Sequence, residues 1–221
     1  MRQVTQTDAP ALAQLIRATG LDHNPDPERI ARVSLESNHA TLVETAADGA
    51  LIGFVDAFST VAQDGTLRWE VDLLGVHPDY RGHGIARRLM CVAVDSGVRA
   101  RAYPARALVK IDNIASLKAF QASGFILDPT ICDLYISPDD ADGEIAPLAD
   151  THLISVATLT YSGVWVEGNC SVGALHAARV VRTRYGWNIA GVVLPEGIST
   201  AAEVNYQWVG KYLWLYFYYY S

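Results

Sequence analysis

Apolar and polar residues alternate along this chain with two different periods, and the changes of period mark its elements. In "TDAPALAQLIRATG", Leu12, Leu15 and Ile16 share one helical face, Asp8 suits the cap and Pro10 the first turn. "NPDPERIARVSLES" reads as a second helix, capped by Asp26 with Pro27 at its first position, and "GLDHNP" is the loop between. "ATLVETA" and "ALIGFVDAFSTV" flank Asp48-Gly49 and predict a hairpin. Gln63-Asp64-Gly65 turns the chain into a third strand, "TLRWEVDLLGV". From Ile85, the positions Ile85, Leu89, Val92 and Ala93 return to helical spacing as far as Gly97. "ARALVKI" is strand-like, "NIASLKAFQASG" is helical with Asn113 as its cap and Gly124 past its end, and "FILD" and "ICDLYIS" are two short strands. A short opening strand completes the order β-α-α-β-β-β-α-β-α-β-β.

The pattern breaks at "SPDDADGEIAPLAD", which is acidic and aperiodic and predicts a linker over 138–150. Beyond it lie four of the five tryptophans and eight of the eleven tyrosines. That shift suggests a second, smaller α+β unit over 151–221. Its expected elements are strands at "HLISVATLTY" and "GVWVEG", a helix from Ser171 to Tyr185, a strand at "WNIAGVVL", a helix near 199–209 and a last strand at "YLWLYFYYY". The last strand is apolar almost throughout, which suits burial on both faces or in a subunit contact. The β-α-β-α-β order of this unit also fits a degenerate half-copy of the first domain, and dimerisation or shaping of an acceptor pocket is the role expected of it.

Half of the 221 residues are hydrophobic and 19% are charged, the profile of a folded chain. The opening "MRQVTQTDAPALAQ" has no long apolar core behind its arginine, so no secretion signal is expected, and no run is long enough for a membrane span. Cys91, Cys132 and Cys170 form no CxxC pair and read as reduced, buried thiols of a cytoplasmic protein, with no metal expected. Residues 1–150 hold 13 Lys/Arg against 21 Asp/Glu, net −8, whereas 151–221 hold 4 against 3, net +1. An acidic first part argues against nucleic acid as a partner and suits a cationic acceptor such as an amine.

The chemistry concentrates in "VHPDYRGHGIARRLM", where a strand ends, two glycines follow an arginine and a helix begins. The first N–H groups of a helix lack intrahelical partners and sit at the positive end of its dipole, so such a corner can hold a phosphate. Glycines there keep side chains out of the way. "LLGVHPDYRGHGIARRLM" resembles the acetyl-CoA pyrophosphate motif of the GNAT N-acyltransferase family. "DNIASLKAFQASGF", about thirty residues downstream, resembles the second motif of that family. The resemblance covers residues 1–137. It implies an α/β (α+β) fold, the GNAT acyl-CoA N-acyltransferase fold with a mixed central sheet, to which the small C-terminal unit is added. It also implies acetyl-CoA as cosubstrate, with direct transfer of its acyl group to an amine.

An amine with a pKa of about 10 arrives as ammonium and must lose a proton before it attacks. Glu70 and Asp72 lie two apart on the strand before the turn and so share a face by simple alternation. Glu70 lies eleven residues before Arg81, the spacing of the base in histone-acetyltransferase members of the family, so Glu70 is the first candidate and Asp72 the second. The resemblance further implies that the Val76 N–H faces the thioester oxygen, that Leu74 and Val76 pair with the pantetheine arm, and that Arg81, Gly82, His83, Gly84, Ile85 and Ala86 form the coenzyme turn. Asn113 either contacts the same arm or only caps its helix. Arg87 and Arg88 either reach the phosphates or form a solvated helix face.

One position departs from the family. Many relatives carry a Tyr seven residues after the Asn as acid to the departing thiolate, and here that residue is Phe120, a packing wall near the acyl site. A thiol with a pKa of about 8.5 can leave unassisted, or Tyr135 can supply the proton. His77 and His83 read as loop residues, while His23 and Glu28 lie near the expected substrate mouth. Phe120 and the aromatic tail leave open an alternative, a catalytically weak or inactive acyl-CoA-binding module. A homodimer without nucleic-acid or membrane partners completes the expectation.

Overall fold

The computed structural model describes residues 1–21, 23, 25–35, 37–61, 65–137, 164–170, 173–179, 190–195 and 207–219. The expected linker over 138–150, the strand at "HLISVATLTY" and most of the helix near 199–209 lie outside the described residues.

The elements follow the order predicted for the first 137 residues: β1 (Arg2–Gln3), α1 (Ala9–Thr19), α2 (Pro27–Val33), β2 (His39–Thr45), β3 (Leu51–Val61), β4 (Leu67–Val76), α3 (Ile85–Arg99), β5 (Ala105–Lys110), α4 (Ile114–Ala122) and β6 (Ile126–Ser137). Asp26 caps α2 by accepting from the Glu28 N–H at 3.0 Å, and Asn113 caps α4 by accepting from the Ser116 N–H at 3.1 Å. Asp8 stands at the cap position of α1, but its carboxylate turns back to the Thr5 N–H and to Arg2. "FILD" and "ICDLYIS" form one strand, β6, because both parts pair along a neighbouring strand, with an irregularity between Leu127 and Ile131.

Four further strands follow: β7 (Val164–Cys170), β8 (Gly173–Arg179), β9 (Ala190–Pro195) and β10 (Gln207–Phe217). The helix expected from Ser171 to Tyr185 is contradicted over 173–179. There the chain pairs antiparallel with β7, from Val164↔Arg179 to Cys170↔Gly173, so hairpin pairing overrides the helical preference of its alanines.

The main sheet has eight strands in the order β1-β2-β3-β4-β5-β10-β6-β9. The pairing of β4 with β5 is parallel and the others are antiparallel. The expected separation of 151–221 from the first domain therefore fails for β9, which pairs with β6, and for β10. β10 inserts between β5 and β6, and both flanking strands satisfy its backbone. Its apolar character has the cause expected of it, since Trp214 and Leu215 are buried.

One face of the sheet packs against α3 and α4 through Val55, Ala57, Trp69, Val71, Leu89, Met90 and Phe120. The other packs against α1 and α2 through Val43, Phe54, Leu12, Ile16 and Ile30. Burying this much aliphatic and aromatic surface supplies the main drive for folding. Cys132 is buried as expected, but Cys91 is exposed on α3.

Candidate active site

The site is built on a fork. β4 and β5 pair at Trp69↔Ala105 and Glu70↔Arg106, and no further parallel pairs follow. Beyond Glu70 the edge of β4 is open on the β5 side. Against β3, β4 carries a bulge: Ala57 pairs with Val71 and Asp56 with Leu73, leaving Asp72 as the extra residue. The bulge shifts the side-chain alternation by one. Trp69 and Val71 belong to the α3 side before it, Leu74 and Val76 pack on that side after it, and Leu73 packs on the α1 side. The simple alternation that placed Glu70 and Asp72 on one face thus holds only as far as the bulge.

The bulge also fixes the direction of the backbone. The His77 N–H donates to Ile52 O across β3 at 2.9 Å, so Leu74 and Val76 direct their amides away from β3, toward the fork. Arg81 confirms the direction, because its Nε donates to Val76 O at 3.2 Å from that side.

Past β4, a short turn leads to α3. Gly82 and Gly84 have φ of 81° and 71°, the left-handed region. A Cβ at Gly82 would meet nothing within 4 Å, so backbone conformation rather than space selects glycine there. Among the described residues, no backbone carbonyl accepts from the N–H groups of Gly82 to Arg87. These amides and the residues of β4 beyond the bulge border one cleft of about 400 Å³. Of the predicted coenzyme residues, Leu74, Val76, Arg81, Gly82, Gly84, Ile85, Ala86 and Asn113 line it. Row-of-amide geometry suits an anion, and the open strand edge suits a chain of amides lying alongside. The residues present therefore fit a pyrophosphate joined to an amide-bearing arm.

Two predicted residues fall outside the lining. The His83 side chain is exposed, with Nδ1 3.2 Å from Tyr80 O. Phe120 is buried against Phe125, in an edge contact with ring centroids 4.9 Å apart, because it faces inward from α4. Asn113 spends its Oδ1 on the helix cap and keeps its NH2 group as a donor. Sequence reasoning missed Thr19, Leu21, Gly75, Tyr80, Ala115, Ser116 and Ala119, which also line the cleft. All of these but Thr19 and Leu21 lie inside the two motifs, which was the signal that could have found them. Arg88 is held by Glu44 at 2.6 Å and does not line the cleft. His77 accepts from the Asp79 N–H at 3.3 Å, as a loop cap would. His23 and Glu28 are exposed, and the Tyr135 side chain lies outside the described residues.

The two candidate bases differ sharply. Glu70 is 2% exposed and accepts from Arg106 Nε with both oxygens at 2.9 Å and from Thr60 Oγ1 at 2.7 Å. Arg106 is itself buried and stacks on Trp214, 4.3 Å from the ring centroid. A carboxylate so enclosed is paired inside the protein and shielded from solvent and from the cleft. The first choice of base is thus built into the core. Asp72 is exposed by its accessible surface yet closely surrounded by protein, and it is not among the residues that line the cleft. Burial, with a smaller contribution from the Glu70 charge, pushes its pKa up to about 7.

Known proteins resemble this chain in sequence and in fold. The model of the "Acetyltransferase (GNAT) family" matches residues 10–125, more than half of the chain. The chain belongs to the GNAT acetyltransferase family. It is 30% identical over 122 residues to the N-alpha-acetyltransferase RimI of Mycobacterium tuberculosis, covering 55% of this chain and 75% of the relative. It is 32% identical over 84 residues to N-alpha-acetyltransferase 30 of Saccharomyces cerevisiae, covering 38% of this chain and 48% of that one. Among solved structures, Arabidopsis thaliana NAA60 in complex with a bisubstrate analogue superposes with a TM-score of 0.52 at 19% identity, over 60% of this chain and 85% of that one. The PaiA N-acetyltransferase of Thermoplasma acidophilum in complex with coenzyme A gives 0.50 at 19% identity, over 58% and 90%. These two likenesses show the fold. As a GNAT member the chain is an acyltransferase, an N-acetyltransferase whose acceptor is the open part of the question.

Proposed function

We propose that the protein transfers an acetyl group from acetyl-CoA to a primary amine, with the α-amine of a peptide as the acceptor class. The row of unpartnered amides from Gly82 to Arg87 beside the fork in the sheet carries this reading. The name shared by the two curated relatives favours an α-amine.

Acetyl-CoA, when bound, supplies a thioester whose carbonyl gains negative charge as an amine attacks. The Gly82–Ala86 turn and the first turn of α3 bind the diphosphate through main-chain amides and the helix dipole. The outward amides of Leu74 and Val76 orient the arm, and the Val76 N–H is the donor placed for the developing charge. Asp72 takes the proton of the ammonium. It lies just past the point where β4 leaves β5, and a pKa of about 7 lets it accept a proton at neutral pH. Phe120 supplies no hydroxyl, and a thiol with a pKa of about 8.5 can leave without a proton donor. Phe120 and the aromatic tail, which favour an inactive acyl-CoA-binding module, are here core and sheet residues and no longer weigh against turnover.

The test is twofold. Acetyl-CoA should raise the melting temperature, and peptides with free N-termini should release thiol from it. Coenzyme binding without turnover on any amine would favour the inactive module, and no binding at millimolar acetyl-CoA would end both readings.

A further inference from the structure

Arg88 and Glu44 stand behind the glycine turn rather than in the cleft. Arg88 Nη1 donates to His83 O at 2.9 Å, and Nη2 donates to Glu44 Oε1 at 2.6 Å, from α3 to β2. Glu44 is mostly buried, and among the described residues its Oε2 has no hydrogen-bond partner. Its one strong contact is therefore Arg88. In a trans peptide the C=O and the following N–H point in opposite directions. Anchoring His83 O to a guanidinium on the protein side thus turns the Gly84 N–H to the opposite side. Gly84 cannot fix this orientation alone, because it caps α3 without a side chain and its left-handed φ of 71° is one of several that glycine tolerates.

We infer that Glu44 and Arg88 are positioning residues for coenzyme A: Glu44 holds Arg88, and Arg88 holds the His83–Gly84 peptide with its N–H directed at the diphosphate. This rests on the coenzyme reading of the turn. The alternative for Arg88, direct contact with phosphate, predicts the opposite behaviour of Glu44, because freeing the guanidinium would then strengthen binding.

The experiment is a calorimetric titration of the full chain with coenzyme A, for wild type, Glu44→Gln, Arg88→Met and the double variant. Each single variant should weaken binding by about tenfold, the scale of one charge-assisted hydrogen bond. The double variant should lose no more than Arg88→Met, because both residues act through one brace. In the unliganded protein, the Gly84 amide resonance should move in both single variants, a readout that general destabilisation does not produce selectively. Unchanged or tighter binding by Glu44→Gln, or strict additivity, overturns the inference. Failure of wild type to bind would instead strike the coenzyme reading itself.

Discussion

The two halves of β4 use the same backbone in opposite ways. From Leu67 to Glu70 the strand is paired with β3 and reaches its parallel partner β5, and its charges are neutralised inside the protein. From Asp72 to Val76 it keeps β3 but has no β5 pairs, and the amides of Leu74 and Val76 face the fork rather than a neighbouring strand. A single extra residue separates the halves. The bulge at Asp72 moves the strand out of phase with its first half, so a carboxylate two positions from a core carboxylate acquires a different neighbourhood. The lesson is that residue type alone does not mark a base. Glu70 and Asp72 are chemically near-identical, and only the pairing of the strand beyond them distinguishes lock from tool.

The largest effect should come from blocking the open half. Gly84→Glu places a side chain at a left-handed φ and a negative charge at the diphosphate site, and coenzyme binding should fall below detection by calorimetry. Asp72→Asn should lower kcat by about a hundred- to a thousand-fold while coenzyme A still binds. The same variant should be more stable than wild type in alkaline solution. The folded-state pKa of Asp72 is raised from 3.8 to about 7, so its stability contribution is complete below pH 4 and lost as pH rises through 7. An amide avoids that loss, and thermal melts at pH 6 and pH 8 should show a gap that widens at the higher pH.

Changes in the closed half should act on stability instead. Glu70→Gln leaves Arg106 buried without its counter-charge, at a cost of about 3–5 kcal/mol. Residual folded protein should keep its affinity for coenzyme A, and chemical denaturation read beside calorimetry separates the two effects. If Glu70→Gln folds normally and turns over no substrate, the contrast between the halves is wrong. The smallest effect belongs to Thr60→Val, which removes the hydroxyl bond to Glu70 and should cost about 2 kcal/mol with no loss of turnover.

Much of this was readable in the chain. Asp26-Pro27, Asn113 and Gly82-His83-Gly84 fix their local backbone through caps and left-handed turns, and such short-range chemistry survives translation into structure. The turn residues were therefore found from sequence, as was the hairpin at Asp48-Gly49. What failed depends on partners distant in sequence. The bulge exists only in the register of β4 against β3. The fate of Glu70 depends on Arg106, thirty-six residues away, and on Trp214 in a strand that returns to the sheet from the far end of the chain. Gly173–Arg179 is rich in alanine and is a strand only because β7 lies beside it. The shift in aromatic composition was real, yet it marked a strand entering the main sheet between β5 and β6 rather than a detached unit.

The most direct test of the proposed division is the pH dependence of kcat for thiol release from acetyl-CoA, at saturating peptide amine, in wild type and in Asp72→Asn. Wild type should lose rate below a pKa of about 7, the range to which burial raises Asp72, and the variant should lack that limb. An acid limb of the same midpoint in both proteins would show that the proton goes elsewhere and would contradict the account.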